Sequence, residues 1–434
     1  MPDPTSGTTS GPTVTAVDIT PVAIKDPPLL NASGCHEPFQ LRSIIRVRTT
    51  DGIVGISEAY GDDDTLGLLG RVAAVLPGLD VFDLNGLARR AADAVGARSV
   101  PMFTELIGPA SLDKTVAMAV GAFEVALLDA QGKALGRPVA DLLGGAVRDR
   151  VDFSAYLFYK WAEHPDGTAP FEPDAWGAAL DPDGIVAQAH TMVERHGFGS
   201  LKLKGGVFAP QEEVAAVKAL RRAFPGKPIR LDPNANWSVE VSRHVAAELE
   251  GELEYLEDPT PGISGMAQVA ARTSLPLATN MCVVCFADLP EAIRLGAVQV
   301  VLSDHHFWGG LRACQRLAGI CETFGLGLSM HSNTHLGVSL AAMVHVAAAT
   351  PNLTYALDTH SPWKVEEVIR PGALEFRDGA ISVPTGPGLG VEIDEDALAA
   401  LHEQYLRCGV RRRDDATHMR RVDPSFTGAR PRFR

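Results

Sequence analysis

The spacing of hydrophobic and polar positions divides the chain into two patterns. Between residues 14 and 61, apolar and polar residues alternate in three runs, TVTAVDITPVAI, QLRSIIRVRTT and IVGISEAYG. The last two runs are separated by Asp51-Gly52, a dipeptide typical of hairpin turns. From about 64 to 136 apolar residues recur every three to four positions, and Gly136 is a helix stop signal. Strands followed by helices predict an α+β domain.

From about residue 151, eight short apolar runs each end in polar residues. The runs are FSAYLF, LKLKGG, IRLDPNAN, LEYLEDP, PLATNM, VQVVLSD, LGLSMHSN and TYALDTH, and from the second onward the polar ends recur about every 25 residues. One strand, one helix and two loops of average length occupy about 24 residues. Eight such units predict a parallel (β/α) barrel, with an open doubly wound sheet as the alternative. The absence of G-x-G-x-x-G after the first run weakens that alternative.

Candidate chemistry lies at these strand ends, where barrel enzymes place their active sites. Lys202 and Lys204 are two residues apart on one strand, so their side chains share a face about 6.6 Å apart. Repulsion and burial both favour proton loss, so one lysine is expected to be neutral near pH 7 and to act as a base. The alternative is a pair of lysines on an exposed edge strand.

Three oxygen donors follow three successive strands and suit a hard cation such as Mg²⁺. They are Asp232, Glu257 and Asn280. Each alone fits a helix cap or turn, but three in succession favour a metal site. Asn234 shares the face of Asp232 and is expected to donate to an oxyanion.

Asp304 and His331 end neighbouring strands, so we expect the carboxylate to orient the imidazole and raise its basicity. A hydrogen-bonded core histidine, satisfied by Ser332 or Asn333, is the alternative. We favour catalysis because the other polar strand ends converge on the same face.

Length and charge exclude several classes of protein. A chain of 434 residues that is 46% hydrophobic implies a large core. The net charge of −14 argues against nucleic-acid binding. No apolar run suggests a membrane span or a secretion signal, so a cytoplasmic location is expected.

Residues 411–434 are basic, with eight arginines against three aspartates. This segment is expected to bind an anion or a neighbouring subunit, and the alternative is a solvated basic end. Cys282 and Cys285 form a lone C-x-x-C and are interpreted as free thiols.

These residues resemble the enolase superfamily and, within it, the mandelate racemase subgroup. More narrowly, the motifs LKLKGGV, LDPNANW, LEDP, LATNM, DHHFW, HSNTH, LDTH, PGLGVEID and RRDDA look like the glucarate dehydratase family from about residue 14 to 420. The resemblance implies a modified (β/α)7β barrel of the TIM type, capped by an α+β domain formed from the N-terminal part and the C-terminal segment. The expected divisions are a disordered tail 1–13, a capping domain 14–145, a barrel 146–374 and a returning segment 375–434, with 375–394 strand-like.

The resemblance also assigns roles to individual residues. Lys204 matches the family's lysine base, Lys202 its substrate-contacting neighbour, and His331 with Asp304 the opposing base and acid. The metal ligands match Asp232, Glu257 and Asn280, and Asn234 matches the amide that helps to hold an enediolate. Substrate contacts are expected at His36, Tyr156, Lys202, Asn280, Ser332, Asn333, His360 and Arg413. The arginine is expected to bind the distal carboxylate of a diacid.

Two features depart from the family pattern. Glu37 stands where a small uncharged residue is usual, and the family's substrate-binding threonine has only Thr104 and Ser111 as candidates. The implied activity is Mg²⁺-dependent dehydration of D-glucarate to 5-dehydro-4-deoxy-D-glucarate by a homo-oligomeric enzyme that binds neither nucleic acid nor membrane. The alternatives are a dehydratase or epimerase of galactarate or idarate, and a non-catalytic acid-sugar-binding relative.

Overall fold

A computed structural model describes residues 11–100, 108–165 and 176–434. The strands in these ranges are β1 (Val14–Lys25), β2 (Leu30–Asn31), β3 (Gly34–Cys35), β4 (Phe39–Thr49), β5 (Val54–Tyr60), β6 (Arg150–Asp152), β7 (Ser154–Phe158), β8 (Ser200–Lys204), β9 (Ile229–Asp232), β10 (Tyr255–Glu257), β11 (Leu277–Thr279), β12 (Val300–Ser303), β13 (Gly327–Met330) and β14 (Ala380–Ser382). The α-helices are α1 (Asp63–Ala73), α2 (Leu84–Val95), α3 (Leu112–Leu135), α4 (Val139–Leu142), α5 (Pro182–His196), α6 (Pro210–Ala223), α7 (Val239–Glu248), α8 (Gly262–Ala270), α9 (Leu289–Leu295), α10 (His305–Trp308), α11 (Leu311–Phe324), α12 (Gly337–Ala348), α13 (Glu395–Cys408) and α14 (Asp415–Met419).

The first part of the chain forms an antiparallel sheet, in the order β1-β4-β5, covered by helices. Strands β4 and β5 pair from Arg48 opposite Val54, and Gly52 in the turn has a φ of +82°, which confirms the predicted hairpin. Helix α3 packs so closely on β5 that a side chain at Gly55 would collide with the backbone of α3. Gly136 ends α3 in the left-handed conformation, as predicted.

Helix α3 is long and apolar enough to cross a membrane by length and composition. Most of its apolar stretch is buried in the protein, where it packs against β5 and α2. Among the described residues no other helix passes that test. Burial of this kind is typical of a central core helix.

Seven parallel strands, β7 to β13, lie side by side in chain order and alternate with helices. Residues 354–358 close the ring between β13 and β7. The Leu357 N–H donates to the Asp152 carbonyl, its own carbonyl accepts from Ser154, and the Asp358 N–H donates to the Met330 carbonyl. The eight predicted runs are therefore seven strands and one closing segment, which confirms the modified TIM-type barrel.

The C-terminal segment returns to the first sheet. Tyr405 of α13 packs with Ala23, Phe39 and Leu41 on the outer face of β1 and β4. Residues 375–394 are less strand-like than predicted: β14 has three residues and pairs with β6, at the entry to the barrel. In this pairing Ala380 lies opposite Asp152 and Ser382 opposite Arg150.

Most of the predicted tail, residues 1–10, lies outside the described residues. The expected disorder of this tail stays a prediction, and two of its three described residues form hydrogen bonds. The Pro12 carbonyl accepts from the Val81 N–H, and the Thr13 carbonyl accepts from Thr50. The division into domains at 145 and 374 stays a prediction.

Candidate active site

A cavity of about 570 Å³ lies between the capping sheet and the carboxyl ends of the barrel strands. Lys204, Asp232 and Glu257 are the last residues of their strands, and Asn280, Asp304 and His331 directly follow theirs. The predicted residues that line the cavity are His36, Tyr156, Lys204, Asn234, Asn280, His331, Asn333, His360 and Arg413. The two proposed bases thus share one cavity.

The lysine pair of β8 is buried and surrounded by carboxylates. The Lys202 Nζ lies 2.6 Å from Glu257 Oε2 and 2.6 Å from Asp358 Oδ2, and the side chain is fully buried. The Lys204 Nζ lies 2.5 Å from Asp232 Oδ2. The exposed-edge alternative is therefore wrong.

The expected loss of a proton from this pair is wrong for the protein without a metal ion. Burial lowers the pKa of both lysines, but the carboxylates more than offset it. Asp358 and Glu257 raise the pKa of Lys202 well above its usual range, and Asp232 raises that of Lys204. Attraction to carboxylates at 2.5–2.6 Å outweighs the repulsion between the two ammonium groups.

The three oxygen donors predicted to hold a metal converge beside the lysines. The Asn280 amide donates to Glu257 Oε1 at 3.1 Å, and Lys202 Nζ lies within 3.7 Å of both Asp232 and Glu257. Burial, with the nearby Asp232 and Asp358 carboxylates, raises the pKa of Glu257 well above its usual range. Crowded carboxylates at the end of a buried strand fit a hard dication, which would relieve their repulsion.

Asn234 occupies a strained position in the loop after β9. Its φ is +50°, a region that asparagine tolerates better than most residues. Its N–H donates to Asp232 Oδ1 at 2.9 Å, and its amide nitrogen lies 3.5 Å from Met281 Sδ. Asn234 lines the cavity, and its role toward an oxyanion stays a prediction.

Hydrogen bonding fixes the tautomer of His331. An Arg42 N–H lies 3.0 Å from His306 Nε2, and because a guanidinium can only donate, that nitrogen accepts. His306 therefore carries its proton on Nδ1 and donates to Asp304 Oδ1 at 2.9 Å. The other oxygen, Asp304 Oδ2, accepts from His331 Nδ1 at 2.9 Å. The remaining nitrogen of His331, Nε2, is left bare to accept a proton.

Asp304 stays ionised in this arrangement. Although burial raises its pKa, the two histidines His306 and His331 hold it well below its usual range. An ionised carboxylate only accepts hydrogen bonds, which is why both imidazoles present N–H to it. The predicted Asp304/His331 pair is thus a three-residue unit, and the sequence prediction missed His306, which stands two residues after Asp304 in DHHFW.

Two predicted substrate contacts offer buried polar atoms at the cavity. Among the described residues, the Tyr156 hydroxyl and the His360 Nδ1 have no hydrogen-bond partner. Their rings lie 4.7 Å apart, and Lys202 and Lys204 lie 5.0 and 5.4 Å from the Tyr156 ring centre. Burial lowers the pKa of His360 well below its usual range. Unpaired buried groups of this kind suit a hydroxylated ligand.

Asn333 lies on the cavity wall, whereas Ser332 does not. The Asn333 amide donates to the Tyr60 hydroxyl at 3.0 Å, and both residues line the cavity. The Ser332 hydroxyl donates to the Asn333 carbonyl and lies 3.2 Å from His335 Nε2. Ser332 is 1% exposed and is not among the described residues that line the cavity.

Arg413 is largely engaged by the protein itself. Two of its nitrogens bind the Asp415 carboxylate at 2.6 and 2.8 Å, and a third contacts Asp26, at 3.1 Å, and Gln40. Asp26 also accepts from His36 Nδ1 at 3.0 Å. Of the five guanidinium N–H groups, four have partners among the described residues, which leaves one for a substrate carboxylate.

The family pattern is departed from at Glu37 and at the substrate-binding threonine, for which Thr104 and Ser111 were the candidates. Glu37 accepts from the Asp414 N–H, and its own N–H donates to Asp415, so it ties β3 to the C-terminal segment. Burial raises the pKa of Glu37. Ser111 caps the N-terminus of α3 by accepting from Lys114, and Thr104 lies outside the described residues.

The basic tail is held mainly by its own chain. Arg411 donates to the Tyr405 and Val410 carbonyls, Arg430 to the Ser33 hydroxyl, and Arg432 to the Val207 carbonyl. Three of the eight arginines of this segment are thus bound by neutral groups of their own chain, and Arg413 is bound by Asp415.

Comparison with known proteins identifies the family to which this chain belongs. Residues 184–397 match the enolase C-terminal domain-like family, and residues 15–144 match the mandelate racemase / muconate lactonizing enzyme N-terminal domain. A probable glucarate dehydratase of Streptomyces coelicolor is 56% identical over 97% of this chain and 99% of its own length.

Two solved structures are similar throughout. An enolase of Thermobispora bispora complexed with magnesium and formate is 58% identical, with a TM-score of 0.95, over 97% of this chain and 100% of its own. An enolase of Mycobacterium smegmatis complexed with tartrate is 59% identical, with a TM-score of 0.93, over 99% and 100%. These relatives indicate that the chain is an enzyme. It belongs to the enolase superfamily, in the mandelate racemase and muconate lactonizing enzyme family, and is similar to glucarate dehydratase over nearly its whole length.

Proposed function

We propose that this protein is a magnesium-dependent hydro-lyase that converts D-glucarate to 5-dehydro-4-deoxy-D-glucarate. The observation that carries the proposal is that Lys204 and His331 line one cavity together with Asn280 and Arg413. Two bases suit removal of a proton next to a carboxylate, and a cation on the far wall suits a second carboxylate.

Asp232, Glu257 and Asn280 would hold the metal ion. Magnesium ligated by these oxygens would supply the positive charge that stabilises an enediolate and would compete with the Lys204 ammonium for Asp232. Lys202, between Glu257 and Asp358, keeps its charge and balances the carboxylates that remain.

The chain's own groups account for the proton transfers. Lys204 Nζ, once neutral, or His331 Nε2 takes the proton from the carbon next to the carboxylate, according to the configuration at that carbon. The C–O bond at the next carbon then breaks, and the hydroxide leaves as water with a proton from His331. Where His331 took the α-proton, it gives that proton back. Where Lys204 took it, His331 enters the step already protonated at Nε2 by solvent. Asp304 stabilises the imidazolium that forms when His331 carries the proton.

The diacid substrate is supported by the cavity wall and by relatives. Arg413 has one N–H left, and His36 beside it shares the Asp26 carboxylate. The Mycobacterium smegmatis relative binds tartrate, a hydroxylated dicarboxylate. The Streptomyces coelicolor relative is named a probable glucarate dehydratase. A cytoplasmic homo-oligomer that binds neither nucleic acid nor membrane stays part of the proposal.

The test is formation of α-keto acid from D-glucarate, galactarate, idarate and a monoacid sugar, with magnesium and with a chelator. We expect magnesium-dependent turnover of D-glucarate and little turnover of the monoacid. The Lys204→Met/His331→Asn double variant controls for contaminating activity. Faster turnover of galactarate or idarate than of D-glucarate would make that acid sugar the substrate instead. Formation of epimers without α-keto acid would make the reaction an epimerisation. Binding of the acid sugars without any turnover would overturn the proposal that the protein is an enzyme.

A further inference from the structure

Three potential metal ligands lie together on segments distant in sequence. They are Cys35 at the end of β3, His164 in the segment after β7, and His418 in α14. All three are buried, and their donor atoms lie within 4.8 Å of one another. None of them belongs to the Asp232, Glu257 and Asn280 set.

The hydrogen bonding of His164 presents a lone pair to this cluster. Its Nε2 lies 2.8 Å from the Asp26 carbonyl, which can only accept, so Nε2 carries the proton. Its Nδ1 therefore offers a lone pair toward the cluster, where it lies within hydrogen-bond distance of His418 Nε2. Metal-bound histidines characteristically donate their second ring N–H to a carbonyl or carboxylate in this way.

The spacing of the donors fits a small tetrahedral ion. His164 Nδ1 and His418 Nε2 are 3.2 Å apart. Two nitrogens about 2.0–2.1 Å from one tetrahedral ion lie about 3.4 Å from each other. Backbone packing keeps the cysteine close: a side chain at Gly34, whose φ is +132°, would collide with the Asp415 carbonyl and the Met419 Cβ of α14.

We propose that Cys35, His164 and His418 bind one borderline-soft divalent cation, such as Zn²⁺, at a site separate from the magnesium ligands. Thiolate and imidazole donors favour zinc over magnesium, and three protein ligands leave the fourth position for water. Binding converts the Cys35 thiol to a thiolate, forms the S–metal bond and releases one proton to solvent, with no change of oxidation state.

Such a site ties three segments around the cavity. His36 follows Cys35, and Asp415, which holds Arg413, begins the helix that carries His418. A cation at the cluster therefore joins β3, the segment after β7 and α14 by bonds that the protein lacks without it. We expect it to raise the thermal stability of the whole chain, because the three ligands are assembled in the folded state and the ion binds that state more tightly than the unfolded one.

The test uses the full-length protein in excess magnesium, which occupies the oxygen-ligand site. After equilibrium dialysis with Zn²⁺, we expect one zinc per chain in the wild type and in Cys321→Ala, a matched control at a buried cysteine outside the cluster. We expect loss of that zinc in Cys35→Ala. With Co²⁺ in place of zinc, the wild type and the control should show a thiolate-to-cobalt charge-transfer absorption that Cys35→Ala lacks.

His418→Gln keeps the thiol and guards against misfolding of the cysteine variant. We expect it to lose most zinc binding and the zinc-dependent rise in Tm while its circular dichroism stays native. A wild-type protein that binds cobalt without a thiolate band, or a Cys35→Ala variant that keeps its zinc, would overturn the proposal. The cluster would then be held by hydrogen bonds alone, between His164 Nδ1 and His418 Nε2 and from the Cys35 S–H to the His36 carbonyl.

Discussion

Replacing Asp304 by asparagine alters the proton position on the catalytic histidine with almost no change in shape. Asp304 accepts from His331 Nδ1 and His306 Nδ1, each at 2.9 Å, and from the His306 backbone N–H. Asparagine has one acceptor oxygen, so its NH₂ group faces one of the two imidazoles. His306 cannot adapt, because Arg42 requires its Nε2 to accept. The NH₂ therefore faces His331, whose proton moves to Nε2, and the base is lost.

The expected size of the effect follows from the charged hydrogen bond and the general base that the substitution removes. A hydrogen bond to a charged group contributes about 1.5–3 kcal/mol, so we expect the free energy of unfolding of Asp304→Asn to be lower than that of the wild type by this amount. Loss of a general acid–base step lowers the rate by about 10²–10⁴-fold. KM should change little, because Asp304 is not among the described residues that line the cavity.

The assay measures kcat and KM for α-keto acid formation together with the free energy of unfolding. Asp129→Asn is a matched control, because Asp129 is also fully buried and accepts backbone N–H groups from Ile56 and Leu389, away from the cavity. We expect it to lose stability but keep kcat. Wild-type kcat in Asp304→Asn, or an equal loss of kcat in Asp129→Asn, would refute this account of the His331 tautomer.

The same substitution has a pH signature. The folded-state pKa of Asp304 lies well below the unfolded value of about 3.9. Its ionisation therefore contributes fully to stability above that value, and the contribution is lost as pH falls toward the folded-state pKa. The difference in unfolding free energy between wild type and Asp304→Asn should thus be constant near neutral pH and should shrink in acid, as measured by denaturant titration.

Three further predictions concern the metal ligands, the two bases and the arginine. Asn280→Ala should abolish magnesium-dependent turnover and weaken magnesium binding measured by calorimetry; undiminished turnover would remove Asn280 from the ligand set. In deuterium oxide, His331→Asn should still exchange the α-proton of the epimer presented to Lys204 but fail to eliminate water, whereas Lys204→Ala should lose that exchange; exchange and elimination with both epimers in both variants would contradict two bases. Arg413→Lys, which retains a charge for Asp415, should raise KM for diacids more than for monoacids, and equal effects on both would make Arg413 structural.

The repeat of apolar runs predicts the barrel and the strand ends that face its mouth. Lys204, Asp232 and Glu257 end their strands as expected, at the point where each apolar run gives way to polar and glycine or proline residues. The pattern cannot show which side chains pair across the mouth. Asp358, on the closing segment, reaches Lys202 from 156 residues away, and this contact helps to reverse the predicted direction of the lysine pKa.

The capping side of the cavity was harder to predict than the barrel side. Asp26, Gln40 and Asp415 surround Arg413, yet no local spacing links them. Ser332 lies behind the wall rather than on it, because adjacency to His331 in sequence does not decide which way a loop side chain turns. His306 was within reach of prediction, since a second histidine close to a strand-end aspartate offers that carboxylate another donor.

The contact between Asp26 and Arg413 joins residues 387 positions apart. During synthesis the first of these leaves the ribosome long before the second, so the barrel strands can pair with their neighbours while this part of the cavity wall is still missing. Contacts of such long sequence separation carry the largest loop-closure entropy and tend to form late. We therefore expect the wall that surrounds Arg413 to be completed late in folding, and a chain interrupted before residue 413 to hold both bases but lack this wall.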